Sequence, residues 1–310
     1  MFLYYKIHYY IKCCCCHSNN NDKLLGISID TIFTALITIT IFIVGLRFKK
    51  KSEDRKAFEE LMDAKTYFYH LVRLLINSTQ EQIKSFDDFL NELNEKREKD
   101  FYIKSVSSFT TKFISDIPSE KLFKAFVFYK LASQKALTIK SFKDIIVNIE
   151  LIGSIERDWK ITFQDFLTSM LKHDDEYNSY ALKVGAFTDK MIHSVESRNL
   201  SHLDEFFKAF DIIVGTWQKI DNYRDKYIMM DNLITPLHKL CQKMPKDRNS
   251  FELLDYIMGC RYAFANLEKA KSVYIHIFED YSKKLSNSIN ILESTLLDIQ
   301  QKKDIKPSLF

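Results

Sequence analysis

The residues best typed and spaced for chemistry are His173-Asp174-Asp175-Glu176, four potential metal ligands in a row. An imidazole beside carboxylates suits a divalent cation that activates water, provided further ligands converge on the same point. The competing reading is a solvated acidic helix start, where carboxylates favour the positive end of the helix dipole. A second candidate is Arg198-Asn199-Leu200-Ser201-His202, which sets a guanidinium and an imidazole within one short segment. Cys241 and Cys260 have His238 and His276 nearby in sequence, but a nucleophilic thiol needs its base in space.

The His173-Asp174 pair in a helical chain invites comparison with the HD-type phosphohydrolases. Their metal takes an upstream His and a downstream Asp as well. Here the upstream His is His70, about a hundred residues away on a different predicted helix. The segment Arg198 to His202 resembles the Arg-polar-x-x-x-His signature of the HEPN helical ribonucleases, in which Arg and His act at the scissile phosphate. It is one residue shorter, which turns the His by about 100° on a helix. The signatures of zinc proteases, di-iron bundles, phosphate loops and serine-hydrolase elbows do not occur. The sequence therefore assigns no catalytic residue, cofactor or metal. Arg198 and His202 are the candidates for a nuclease, and His173, Asp174 and Asp175 those for a metal enzyme.

The elements that would position these groups begin with the longest apolar run. Residues Ile27 to Leu46 hold Ile27, Ile32, Phe33, Leu36, Ile39, Ile41, Phe42, Ile43, Val44 and Leu46, with Asp30 as the single charge. Twenty residues at about 1.5 Å each match the roughly 30 Å hydrocarbon core of a bilayer. Apart from Asp30 and Ser28 at its start, threonines are the run's polar residues, and their hydroxyls can bond back to the carbonyl four residues earlier. A cleaved signal would show a shorter apolar core and a small-residue site after it. Instead Arg47, Lys49, Lys50 and Lys51 follow at once. Such a collar is retained on the cytoplasmic side and sits against anionic headgroups. The expectation is a single-pass protein of the cell (inner or plasma) membrane, N-terminus outside. Thr31, Thr34, Ala35, Thr38 and Gly45 give the span a small-residue stripe, read as residues tolerated in a single span.

The chain has 310 residues, 46% hydrophobic and 28% charged, with 45 Lys+Arg against 41 Asp+Glu. Residues 1–51 carry 7 of the basic and 2 of the acidic residues, leaving 38 against 39 beyond them. The basic excess thus belongs to the anchor, and the body lacks the concentrated basic face of a nucleic-acid binder. No nucleic-acid partner is expected. Cys13 to Cys16 are adjacent, which suits neither a tetrahedral metal site nor acylation on the outer side. Residues 1–24 read as a low-complexity tail, and whether it is native or the product of a misplaced start stays open. Cys241 and Cys260 read as buried thiols.

Beyond residue 50 there are four prolines and four glycines, so long stretches run without a breaker. The body, residues 49–305 after a 25–48 anchor and before a 306–310 tail, is predicted all-α. A first helix carries Phe58, Leu61, Phe68, Val72 and Leu75 on one face. A break at Asn77-Ser78-Thr79 is expected, followed by a helix over 80–98 with Ile83, Phe86, Leu90 and Leu93, paired antiparallel with the first. Pro118 marks a helix start, with Leu122, Phe126, Tyr129 and Leu131 on its apolar side. Further helices are expected near 140–152, 155–172, 174–196 and 201–230, with loops at 199–201 and 245–249. A last helix over 250–302 carries the seam Tyr274, Phe278, Tyr281, Leu285, Ile289, Leu292, Leu296 and Ile299. That seam serves either the chain's own core or a homotypic coiled coil, the former being favoured.

These features point to a membrane-anchored helical body that docks proteins: a scaffold, adaptor or oligomerising sensor whose partners are the lipid bilayer and a protein or second copy. The alternatives are a membrane-tethered nuclease or metal phosphohydrolase, and a defence or stress effector that oligomerises in the bilayer.

Overall fold

The computed structural model describes residues 23–24, 27–95, 100–107, 109–128, 130–198, 205–243 and 248–301. The early cysteines, Tyr129, the loop at 199–201, residues 245–247 of the expected 245–249 loop, His202 and the tail from 306 lie outside the described residues, while Arg248 and Asn249 belong to the last helix. The chain divides into two units, which meet between Ala64 and Lys65.

In the first unit a two-residue antiparallel ladder, β1 (Lys23–Leu24) with β2 (Ile27–Ser28), precedes helix α1 (Ile29–Asn94). The helix therefore begins at Ile29, two residues inside the expected apolar start at Ile27. It continues without interruption through the apolar run and the basic cluster, and enters the second unit at Lys65.

All regular secondary structure of the second unit is helical among the described residues. After α1 come α2 (Lys112–Ser115), α3 (Ser119–Val127), α4 (Ala132–Arg198), α5 (Glu205–Trp217), α6 (Lys226–Met229), a π-helical turn (Met230–Ile234), α7 (Thr235–Lys243) and α8 (Arg248–Gln301). The expected break at Asn77-Ser78-Thr79 is absent. Ser78 and Thr79 are buried, and both hydroxyls donate to the Leu75 carbonyl, at 3.0 and 2.6 Å. Their capping capacity is spent inside the helix, so no chain reversal or antiparallel pair forms there. Likewise one helix of 67 residues replaces the three expected between 140 and 196. Gly153-Ser154 does not end a helix: a Cβ at Gly153 would lie 2.6 Å from Thr111 Oγ1, so the glycine admits the incoming loop. The Glu156 carboxylate then accepts from the Thr111 N–H at 3.0 Å.

The expected 201–230 helix ends at Trp217 instead. The Trp217 indole donates to the Tyr223 carbonyl at 2.7 Å, closing a turn in which Asn222 takes the left-handed conformation (φ 57°). The π turn ends two residues before Pro236, whose ring lacks an N–H and would clash with the carbonyl four residues earlier in a regular helix.

Helices α4 and α8 run antiparallel, as the hydroxyl contact Thr162–Tyr281 (3.1 Å) and the approach of Tyr180 to Gly259 require. Two hydrophobic clusters form along them. In the first, α1 supplies Phe68, Val72, Leu75, Phe86, Phe89 and Leu93, packed with α3, α4 and α8. Phe89 makes edge-to-face contacts with Phe163, Phe166 and Phe278 at 5.1–5.5 Å between ring centres. Every member of the α8 seam from Phe278 to Ile299 except Tyr281 is buried here, and Tyr274 and Tyr281 pack against the same core. The chain thus covers its own seam. The second cluster joins α4 (Tyr177, Val184, Phe187, Met191) to α5, α6, the π turn, α7 and the start of α8. Pro118 stands at the start of α3 as expected, with Leu122 and Phe126 buried, while Leu131 is exposed and belongs to no apolar face.

Candidate functional site

Three regions have the side chains for a function. The first is the start of α1, where none of the apolar window is buried; Phe33 is 58% and Phe42 64% exposed. The threonines among them donate inward, Thr34 to Asp30 O, Thr38 to Thr34 O and Thr40 to Leu36 O at 2.7–2.8 Å. With hydroxyls and backbone bonded within the helix, the surface that remains is hydrocarbon. Arg47, Phe48, Lys49 and Lys50 follow on the same helix, all exposed, with Lys51 half-buried. One helix near the N-terminus is therefore long and apolar enough to cross a membrane.

The second region is a polar network in the second unit, which local sequence spacing does not announce. Asp225 caps α6 by accepting from the Tyr227 and Ile228 N–H groups, at 2.9 and 3.2 Å. That cap aims the two following residues at the long helices. Lys226, buried, pairs with Asp174 on α4. The Tyr227 phenol donates to Glu268 on α8 at 2.6 Å and accepts from Lys271, itself 5% exposed. The Lys271 ammonium also lies 4.8 Å from the Tyr227 ring centre and 5.5 Å from that of Phe101. Burial pushes the Lys271 amine below its ordinary value, and the Glu268 carboxylate opposes that shift. Two cations are thus met by Asp174, Asp225 and Glu268, which makes the network a strap holding α6 to α4 and α8.

The third region is an open groove of about 490 Å³ between α4 and α8. Its walls are Ser169, Lys172, His173 and Glu176 on one side and Tyr262, Asn266, Lys269, Ala270, Val273 and Tyr274 on the other.

The sequence candidates fall across these regions. His173 and Asp174 are not at a helix start; they lie in the middle of α4, and neighbouring positions on a helix point apart. His173 Nδ1 is 3.3 Å from Glu176 Oε2 in the groove wall, whereas Asp174 serves Lys226 and Asn178, and Asp175 is exposed. Among the described residues no group of three or more His, Cys, Asp and Glu side chains converges as a metal site. Arg198 ends α4, but its side chain lies outside the described set, as does His202.

Cys241 and Cys260 are buried, as expected of structural thiols. Burial pushes Cys241 up to about 11 and Cys260 to about 12, the opposite of nucleophile activation. His238 instead meets Arg261 Nη1 at 2.7 Å, and both its burial and that cation hold its pKa below the ordinary value. His276 is exposed beside Glu279.

No family model, no curated protein and no solved structure matches this chain. What it does must be argued from the regions above.

Proposed function

We propose that the chain is a single-pass membrane protein whose helical body docks proteins at the cytoplasmic face. The observation that carries this reading is the exposed apolar start of α1 ending in Arg47, Lys49, Lys50 and Lys51. Leaving that surface in water forfeits about 25 cal/mol per Å², which a bilayer recovers. The basic cluster favours the cytoplasmic side for everything after it, and adds roughly 1 kcal/mol of headgroup attraction per charge. Supporting the docking role is the make-up of the second unit. Its balanced charge, the engagement of Lys226 and Lys271 by Asp174 and Glu268, and its open groove suit a binding surface better than a reaction centre.

The test is topological. In sealed right-side-out vesicles, an epitope after Phe310 is expected to resist protease until detergent is added. Digestion of that epitope in intact vesicles contradicts the orientation. Conversion of an RNA or phosphoester substrate, lost on substituting Arg198 and His202 or His173 and Asp174, contradicts the docking role.

A further inference from the structure

The outer face of α8 carries an unusual arrangement. Phe251, Met258, Tyr262 and Val273 are 60%, 49%, 70% and 49% exposed, and their spacings of seven, four and eleven residues put them on one stripe. Two exposed charges, Asp255 and Lys269, interrupt it. Tyr262 is the midpoint: Asp255 and Lys269 lie seven residues to either side, Phe251 and Val273 eleven. Read from its two ends the stripe is apolar at Phe251 and Val273 and opposite in charge at Asp255 and Lys269, while Met258 has Asn266 as its counterpart.

The adjoining part of α4 repeats the pattern. Tyr180 lies against Gly259 and sets the level of the two helices. Glu176 stands on the Lys269 side in the groove wall. Lys183 stands on the Asp255 side, 4.8 Å from the Tyr180 ring centre and 5.9 Å from that of Tyr256. Glu176 and Lys183 thus put acid and base at opposite ends on this helix as well, with Lys172 a turn beyond Glu176.

We propose that the α4–α8 face centred on Tyr262 is a two-fold interface between two copies of this chain, with their α8 helices antiparallel. An isologous contact must be self-complementary, and this face is so in its charges and in its apolar ends. Rotation about an axis through Tyr262 sets Asp255 against Lys269 of the second copy and turns the Glu176 part of α4 toward the Lys183 part of the other α4. It also lays Phe251 over Val273, at the rim of the other copy's groove. Parallel pairing would instead oppose Asp255 to itself and Lys269 to itself, a like-charge penalty that selects the antiparallel form. The inference names the partner in the docking role above and rests on that role; it makes no use of the anchor.

The experiment uses the full chain in detergent micelles, with Cys13 to Cys16 replaced by serine so that thiols can be placed singly. Cys241 and Cys260, buried and protonated, stay silent. With a short bismaleimide, Tyr262→Cys is expected to link to itself. Phe251→Cys should link only when mixed with Val273→Cys, because like positions lie about 33 Å apart along the antiparallel pair. Sedimentation is the second readout. Lys269→Glu is expected to weaken dimerisation about tenfold, and Asp255→Lys in the same chain to restore most of it, each variant keeping the parent's melting temperature. Self-linking of Phe251→Cys, or no link at any position, overturns the pairing. A monomer that docks a different protein through the Tyr262 face overturns self-pairing and leaves the docking role. A face whose substitutions change neither overturns both.

Discussion

Helix α1 contains two apolar stretches that fare oppositely. Between Phe33 and Leu46 the large side chains point outward all round the helix, and none of the apolar window is buried. Between Phe68 and Leu93 the apolar residues other than Leu74 keep to one side, and Phe68, Val72, Leu75, Phe86 and Phe89 are at most 2% exposed. The backbone is the same α-helix in both. Apolar content alone therefore does not make a core; an apolar stripe with a polar reverse does, because only that pattern lets α4 and α8 close on one face while water keeps the other. An apolar surface on every side asks for a solvent that is itself apolar.

The sharpest way to break the contrast is to give the first stretch a polar character. Leu36→Lys with Phe42→Lys adds about 2.5–3.5 kcal/mol per charge to insertion near the middle of a span. Such a chain should leave the membrane pellet for the supernatant with its helical body still folded by circular dichroism. Next in size is the second stretch. Phe89→Ala removes a ring packed against four others and should cost about 3–5 kcal/mol, read as a lower urea midpoint, with no change in membrane recovery.

Smaller effects separate packing from propensity within the body. A Cβ at Gly259 would fall 2.3 Å from the Tyr180 ring, so Gly259→Ala should destabilise by about 1–3 kcal/mol in thermal melts. Gly185 on α4 has open space around its missing Cβ, and Gly185→Ala should stabilise by up to about 1 kcal/mol. The smallest expected effect is a pH dependence. His238 is held below its ordinary 6.5 by burial and by Arg261, so the unfolded chain binds the proton more readily than the folded one. Stability should fall as the pH drops below about 6.5. His238→Asn should remove that slope in melts taken between pH 5 and 7.5.

Much of the architecture is legible from residue pattern, and the failures have one cause. The α8 seam from Phe278 to Ile299, the helix start at Pro118 and the inward bonds of Thr34, Thr38 and Thr40 are all signalled by residues within a few turns of one another. What misleads is a local signal whose partner is remote. Ser78 and Thr79 look like caps, yet burial against other helices keeps α1 running and turns their hydroxyls onto Leu75. Gly153 looks like a break, yet its role is to admit Thr111. Asp174 looks like a metal ligand or dipole partner, yet it answers Lys226, 52 residues away. The polar strap and the groove are invisible for the same reason, since their members come from segments with no shared spacing. A lysine buried in a four-residue helix is a trace the sequence alone does not expose.

The central claim is that the exposed start of α1 is covered by lipid. Alkaline carbonate extraction of membranes carrying the full chain tests it most directly. Retention of the protein in the pellet, lost when residues 30–46 are removed, is the predicted result; release of the intact chain into the supernatant contradicts it.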